Sequence, residues 1–225
     1  MATTVVLEED LEIPLVRSLA EFRAWATSED FPETGRIDYI AGRIEVDMSP
    51  EDLFTHGTLK VRLVSVLDRL VEESDLGHIL SDRARVSSPE ADLSAEPDIV
   101  FVSHQAIESG RVRLIPKAGQ AERFIELEGA PELVVEIVSD HSVAKDTERL
   151  PQAYWRAGVA EYWLVDARGR QLSFQIFHRG PEGFQPAPAD SEGFQYSRVL
   201  DTRFRVSRRA RQAGRWSYQV ETKPS

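Results

Sequence analysis

The apolar run at 133–138, LVVEIV, constrains the fold of this chain more than any other segment. It is rich in β-branched residues and is bounded by Pro131 and Ser139, which is typical of a central strand buried on both faces. Glu136 lies inside it, and a carboxylate in a buried strand is costly unless it is paired, hydrogen-bonded or bound to a cation. The run therefore predicts a buried strand that carries either a functional acid or a structural acid, placed on a rim or paired with an arginine.

The rest of the chain alternates between strand-like and helix-like segments. Apolar residues recur every three or four positions at 55–74, which predicts a long helix. Shorter helices are expected at 18–27, with Ser18 as N-cap, and at 146–157, before Gly158. Strands are expected in a hairpin at 36–48 and at 78–86, 99–102, 133–138, 162–165 and 172–177. This order predicts an α/β or α+β core within a single domain, 1–225.

Composition and charge narrow the chemistry. Cysteine is absent, which excludes disulfides, thiolate zinc sites and a cysteine nucleophile. The chain has 27 Lys and Arg against 38 Asp and Glu, and its net charge of −11 argues against coating nucleic acid by bulk electrostatics. The N-terminus is acidic, and no stretch approaches the roughly 18 apolar residues of a membrane helix. We therefore expect a cytoplasmic protein with no membrane partner.

A second acid stands beside a predicted strand. Asp98 follows Glu96-Pro97 and immediately precedes the apolar run at 99–102. If the two strands are neighbours, Asp98 and Glu136 supply oxygen ligands for one hard divalent cation such as Mg²⁺. Such a cation would polarise a phosphoryl oxygen and lower the pKa of an attacking water. The two acids therefore predict a metal site suited to phosphoryl chemistry.

Several short motifs follow one another in a fixed order along the chain. They are YIAGRI at 39–44, MSP at 48–50, His56, PDIVFV at 97–102, APELVVEIVS at 130–139, Asp146, Tyr154 and AGVAEYWLVD at 157–166. Pro97-Asp98 followed by Glu136 resembles the PD-(D/E)XK nuclease superfamily. The ordered set, above all EYWLVD, is similar to the Uma-two family of restriction-endonuclease-like proteins. The resemblance covers about residues 18–177 and leaves 178–225 as a C-terminal strand extension.

The resemblance implies a restriction-endonuclease-like central mixed sheet flanked by helices, with an N-terminal hairpin and C-terminal strands. It also implies an endonuclease that hydrolyses phosphodiester bonds in DNA. Its Mg²⁺ or Mn²⁺ would be held by Asp98, Glu136 and the main-chain carbonyl of Ile137. The lysine that positions or activates the water in such enzymes would stand at 138 or, in this family, at 150. These positions hold Val138 and Leu150, and neither side chain can position or activate a water.

Lys145 is the best substitute for the missing lysine, since its flexible stem could reach from the start of the 146–157 helix back toward Glu136. The alternative is a solvated cation beside the helix. Arg149 is the other candidate. Its guanidinium is a poor proton acceptor, but it can clamp a phosphate. If neither residue fills the role, the protein is a catalytically weak or inactive nuclease-fold protein that binds nucleic acid or a protein partner.

Three further residues stand at family positions around this site. Asp38 lies where the family often has a glutamate, and His56 where it has a histidine, which implies accessory roles in the site. The alternatives are a surface hairpin acid for Asp38 and a structural, hydrogen-bonding histidine for His56. Asp146 is either a site residue or the N-cap of its helix.

The arginines are concentrated near the C-terminus. They are Arg198, Arg203, Arg205, Arg208, Arg209, Arg211 and Arg215, with Trp216 and Tyr218 directly after them. Basic residues interleaved with aromatic ones can grip a nucleic-acid backbone, and Arg203, Arg205, Arg208 and Arg209 are the predicted DNA contacts. The alternative is a pair of C-terminal strands whose arginines pair with the acidic body. An unpaired edge strand here would permit a homodimer, and a pure assembly module is the third interpretation of the chain.

Overall fold

The computed structural model describes residues 13–211 and 215–224. The helices in these ranges are Leu19–Ala26 (α1), Thr58–Glu73 (α2), His104–Glu108 (α3) and Leu150–Ala157 (α4). A π-helical turn leads into α2 at Leu53–Gly57, and another leads into α4 at Lys145–Arg149. No helix of the described ranges is long and apolar enough to cross a membrane. Most of the acidic N-terminal segment that supports the cytoplasmic prediction lies outside these ranges.

Fifteen strands occur in the described residues. They are Arg36–Ile40 (β1), Arg43–Asp47 (β2), Gly77–Ser81 (β3), Arg85–Ser88 (β4), Leu93–Ala95 (β5), Ile99–Ser103 (β6), Val112–Lys117 (β7), Gln120–Gly129 (β8), Leu133–Ile137 (β9), Glu161–Asp166 (β10), Ser173–Arg179 (β11), Phe184–Pro186 (β12), Gln195–Ser197 (β13), Thr202–Ala210 (β14) and Trp216–Pro224 (β15).

The strands form three sheets. The central sheet has the order β12-β11-β10-β9-β6-β3, and β9 and β10 in it are parallel. The N-terminal sheet has the order β2-β1-β5-β4-β8-β7, with β4 and β8 parallel, and the C-terminal sheet has the order β13-β14-β15. The predicted fold class, a mixed α/β protein with a mixed central sheet, flanking helices, an N-terminal hairpin and C-terminal strands, is confirmed.

The central sheet presents a different surface to each of two helices. The leucines of α2 that are fully buried against it are Leu59, Leu63 and Leu67, spaced so that they share one helix face. Side chains alternate along β9, so Val135 packs in the α2 cluster, whereas Val134 packs in the cluster of α4. Glu136 follows Val134 by two residues and therefore points to the α4 side, where Tyr154 reaches it.

The N-terminal hairpin forms as predicted around Ala41-Gly42. Both residues have positive φ, 49° and 79°, as the tight turns that match the twist of a hairpin require. Along β1, Ile37 and Tyr39 pack in the cluster of α1. By alternation, Arg36 and Asp38 point to the opposite face, toward the central sheet.

The predicted single strand at 78–86 is wrong. It divides into β3 of the central sheet and β4 of the N-terminal sheet, because Asp82 and Arg83 both adopt positive φ, 50° and 58°, and turn the chain between them. A second crossing joins the same two sheets, from β5 to β6. Residues 96–98 make this crossing, so Asp98 lies where the two sheets meet.

Candidate active site

Asp98 and Glu136 lie opposite each other on neighbouring strands. The antiparallel β6–β9 register pairs Ile99 with Val135, so Asp98 and Glu136 are the next residues in line, with side chains on the same face. Both are buried, at 0% and 1% exposure. Asp98 Oδ2 also accepts a hydrogen bond from the main-chain N–H of Ile137 at 2.7 Å. The fold thus brings together the two acids predicted from the sequence.

Three cationic side chains converge on Asp98. Arg36 Nη2 lies 2.9 Å from Oδ1, Lys60 Nζ lies 3.3 Å from the same oxygen, and His56 Nε2 lies 3.4 Å from Oδ2. Burial by itself would raise the pKa of Asp98, but the charge of Arg36, followed by the contacts of His56 and Lys60, holds this pKa well below its ordinary value. Asp98 is therefore a carboxylate at neutral pH.

The pKa of Glu136 is shifted in the opposite direction from that of Asp98. Tyr154 Oη donates to its Oε1 at 3.0 Å, while Oε2 is buried without a hydrogen-bond partner among the described residues. Burial, together with the negative charges of Asp146 and Asp98, raises the pKa of Glu136 well above its ordinary value. The site therefore favours a neutral Glu136 unless a cation occupies the space beside it.

Asp146 adds a further buried acid next to Glu136. Its Oδ2 accepts a hydrogen bond from Ser142 Oγ, and its Oδ1 is buried without a partner among the described residues. Burial raises the pKa of Asp146 to about 7, although Lys145 opposes this shift. Asp146 is not the N-cap of its helix, because it lies inside the π-helical turn, after Ala144.

Lys145 points into the site. It is 6% exposed, and its Nζ donates to Asp38 Oδ2 at 2.9 Å, so the alternative of a solvated cation is wrong. Burial opposes the charge of Lys145, but Asp38 and then Glu136 outweigh it and raise the pKa of the ammonium. Asp38 is also buried and accepts from the main-chain N–H of Glu96 at 2.9 Å. It is therefore a buried acid beside Lys145 and not a surface hairpin acid.

His56 and Arg149, the other two accessory candidates, each contact different acids. His56 bridges two acids, because its Nδ1 lies 3.2 Å from Glu51 Oε2 while its Nε2 faces Asp98. Burial opposes protonation of His56, but Asp98 outweighs it and raises the pKa of the ring. Arg149 forms a two-pronged ion pair with Glu45 at 2.6 and 2.8 Å. Glu45 lies opposite Asp38 in the β1–β2 register, so its side chain is on the same face of the hairpin as Asp38. Arg149 therefore contacts this face at the edge strand β2, one strand beyond Asp38.

Two cations of the site, Arg36 and Lys60, were not predicted from the sequence. Arg36 precedes Asp38 by two residues on β1, so period-two alternation puts both on one face. Lys60 is on the buried face of α2, four residues after His56 of the preceding π-helical turn. These two spacings are the sequence signals for Arg36 and Lys60. Neither spacing indicates a site unless it is also known that Asp98 lies next to these faces.

An open cleft of about 410 Å³ leads to these residues. Those of its lining that bear on the site are Arg36, Glu51, His56, Arg83, Ile137 and Ser142. The site below it suits a hard divalent cation, because Glu136 and Asp146 each keep a buried carboxylate oxygen without a partner in the described residues. Oxygen donors of this kind are the ligands that Mg²⁺ prefers.

The C-terminal arginines form part of an antiparallel strand pair, β14 and β15. Arg205 pairs with Glu221 at 2.9 Å, Arg208 donates to the main-chain oxygen of Ala167 at 2.7 Å, and Arg203 lies over the ring of Tyr196. Arg209 is exposed. The strand pair named as the alternative is therefore present, and three of the four predicted DNA contacts have local partners.

The comparisons with known proteins agree with one another. The Uma2 family model, described as "Putative restriction endonuclease", matches residues 19–206, which extends beyond the expected 18–177 into β14. One similar solved structure is a "putative nuclease" of DUF820 from Anabaena variabilis ATCC 29413. It is 23% identical with a TM-score of 0.52, and the alignment covers 81% of this chain and 96% of that chain. At this identity it supports the fold alone. No curated protein matches the chain significantly.

Proposed function

The chain belongs to the Uma2 family, described as "Putative restriction endonuclease", and on that premise we propose that it is a metal-dependent endonuclease acting on DNA phosphodiester bonds. The observation that carries the proposal is the buried pair formed by Asp98 and Glu136 on neighbouring strands. One carboxylate is held ionised and the other keeps a buried oxygen without a partner in the described residues. A divalent cation would replace the proton that the raised pKa of Glu136 otherwise retains.

We assign the ligands of Mg²⁺, or of Mn²⁺ in its place, to Asp98, Glu136 and the main-chain carbonyl of Ile137. The bound ion supplies positive charge that polarises a phosphoryl oxygen and lowers the pKa of the attacking water. Arg36 keeps Asp98 ionised by its 2.9 Å contact, so this ligand carries its negative charge throughout the neutral range. Tyr154 fixes the orientation of the Glu136 carboxyl through its hydrogen bond.

Lys145 fills the role of the lysine that positions 138 and 150 lack. Its pKa is raised by Asp38 and Glu136, so it stays an ammonium and does not accept a proton from water at neutral pH. Its contribution is positive charge at a fixed position, which stabilises the negative charge that develops on the phosphate. Asp38 orients this ammonium through the 2.9 Å contact.

Replacing Lys145 tests this role. In cleavage of supercoiled and single-stranded DNA with Mg²⁺ or Mn²⁺, Lys145→Met is expected to lower the rate by about 100- to 1000-fold, the usual effect of losing one pre-organised electrostatic group. Arg156→Met removes an exposed cation from the same helical segment and should leave the rate unchanged. Wild-type cleavage by Lys145→Met would show that the lysine has no part in the reaction.

The alternative function is a catalytically weak or inactive nuclease-fold protein that binds nucleic acid or a protein. The observation that favours it is the occupation of both usual lysine positions by Val138 and Leu150. The same assay separates the two functions. If the wild-type protein binds DNA but does not cut it with either metal, the alternative is correct.

We place the DNA near the end of the β14–β15 strand pair that holds Ala210 and Trp216. The strand pairing ends at Ala210 and Trp216, and the guanidinium carbon of Arg215 lies 5.4 Å from the ring centre of Phe54. Phe54 belongs to the π-helical turn that also carries His56. Arg209 and Arg215 are both exposed at this end, so they are the arginines best placed to contact a backbone that enters the cleft.

Salt dependence tests this surface. Each phosphate contact contributes about 0.9 to the slope of log K against log salt for duplex DNA, so Arg209→Gln with Arg215→Gln should reduce that slope by about 2. Arg198→Gln removes an exposed arginine beyond the other end of β14 and is the matched control. A double variant with the wild-type slope in a fluorescence-anisotropy titration would place the DNA elsewhere.

A further inference from the structure

The ammonium of Lys60 lies among three carboxylates that come from three separate segments. Its Nζ lies 2.8 Å from Glu51 Oε1, 2.7 Å from Asp82 Oδ1 and 3.3 Å from Asp98 Oδ1. The lysine itself is 5% exposed. Glu51 precedes the π-helical turn before α2, Asp82 follows β3, and Asp98 precedes β6. The tertiary fold therefore places one buried cation at the point where these acids converge.

The donors around Lys60 have the composition of a metal site. Ligand atoms of Glu51, His56 and Asp98 all lie within 4.8 Å of one another. His56 is 4% exposed, and its Nδ1 lies 3.2 Å from Glu51 Oε2 while its Nε2 lies 3.4 Å from Asp98 Oδ2. Two-metal phosphodiesterases place a second divalent ion about 3.5–4 Å from the first, next to a shared carboxylate. Asp98 is the carboxylate shared here, between the proposed Mg²⁺ ligands and the Lys60 cluster.

We propose that the ammonium of Lys60 takes the place of a second divalent ion, so that this site binds one metal ion and not two. The inference rests on the proposed function for the first ion and goes beyond it in assigning the second cation to the chain itself. A lysine ammonium and a divalent ion cannot share the space between the same carboxylates, and the ammonium is held by three of them. The second positive charge beside Asp98 is therefore permanent and does not depend on metal concentration.

Counting bound ions tests the proposal without measuring cleavage. Titration of the full chain with Mn²⁺, followed by calorimetry and by the electron paramagnetic resonance signal of free Mn²⁺, should give one ion per wild-type chain. Lys60→Met removes the ammonium and leaves its acids and His56 in place, so it should bind two. Lys60→Arg keeps the charge, and Arg62→Met removes an exposed cation from the same helix, so both should bind one.

Two ions on the wild-type chain, or a single ion on Lys60→Met, would overturn the assignment. Lys60→Gln is the second variant, with the same expected count of two, in case the methionine variant does not fold. A wild-type chain that binds no Mn²⁺ removes the metal step of the proposed function and the inference with it. One ion on both wild type and the lysine variants removes the inference alone, and loss of that ion in Glu136→Gln would still support the proposed function.

Discussion

Glu136→Gln is expected to abolish metal-dependent cleavage and, at the same time, to make the ion-free protein more stable. The substitution removes a proposed ligand, and since losing groups behind metal ligands already costs 10- to 100-fold, loss of the ligand should lower the rate by more than about 100-fold. Stability should rise because burial and the charge of Asp146 raise the pKa of this carboxyl. At pH 8 the native state must therefore keep a proton that the unfolded chain releases, a cost that Gln does not have. Gln keeps an oxygen that can accept from Tyr154.

Two measurements on the same samples check this prediction. Cleavage of supercoiled DNA gives the rate, and urea unfolding at pH 8 with a chelator gives the free energy of unfolding. Glu122→Gln removes an exposed acid from β8 and should change neither quantity. If Glu136→Gln cuts DNA at the wild-type rate, Glu136 is not a metal ligand. If it is less stable than wild type at pH 8, the buried carboxylate is paired in a way that the proposed site does not include.

The ion-free protein is expected to lose stability as the pH rises through the range in which Asp146 ionises. The pKa of Asp146 is raised by burial from 3.8 to about 7, so between these values the native state binds a proton that the unfolded state has released. Stability therefore falls with rising pH, and this contribution is fully present only below 3.8. A shift of this size corresponds to at most about 4 kcal/mol, at about 1.4 kcal/mol per pKa unit.

Other titratable groups in the same cleft also make the stability depend on pH. A variant of Asp146 separates its contribution from theirs. His56, with its pKa raised through Asp98, also loses its stabilising contribution as the pH rises. Asp98, with its pKa well below the ordinary value, loses its contribution only at acidic pH. Glu136, whose pKa burial also raises, keeps a proton over the same range. Asp146→Asn should therefore reduce the slope between pH 4 and 7 in urea unfolding with a chelator but not remove it, while Asp68→Asn, at an exposed position of α2, should keep the full slope. An unchanged slope in Asp146→Asn would contradict the prediction.

Metal binding should oppose the loss of stability that the ion-free protein shows as the pH rises. A divalent ion that binds the native state stabilises it by mass action, and it binds better when the carboxylates are ionised. The stabilisation produced by Mg²⁺ should therefore be larger at pH 8 than at pH 5. This is the direction expected when a cation replaces a proton in a buried acidic site.

Local sequence pattern determined much of this protein. The β-branched run around Glu136 specified a central strand, because only a strand that is covered on both faces buries successive apolar residues. Gly42 in the Ala41-Gly42 pair indicated the hairpin, because glycine adopts the positive φ of such a turn without steric cost. The motif around Pro97-Asp98 identified the second acid. Each of these features depends on neighbours within a few residues, and such information is present in the chain before it folds.

Only the tertiary structure decided which cations complete the site. The sequence around Lys145 is compatible with a solvated helix residue and with a site residue. The lysine is buried because its ammonium pairs with Asp38, which is more than 100 residues away in the chain. Lys60 carried no signal beyond its spacing from His56, because its three carboxylate partners come from separate segments. A long, flexible basic side chain lies in solvent at little cost, and it is buried only where carboxylates offset the cost of burying its charge. Its position is therefore set by the charges that distant strands bring to it, which a local pattern of residues does not contain.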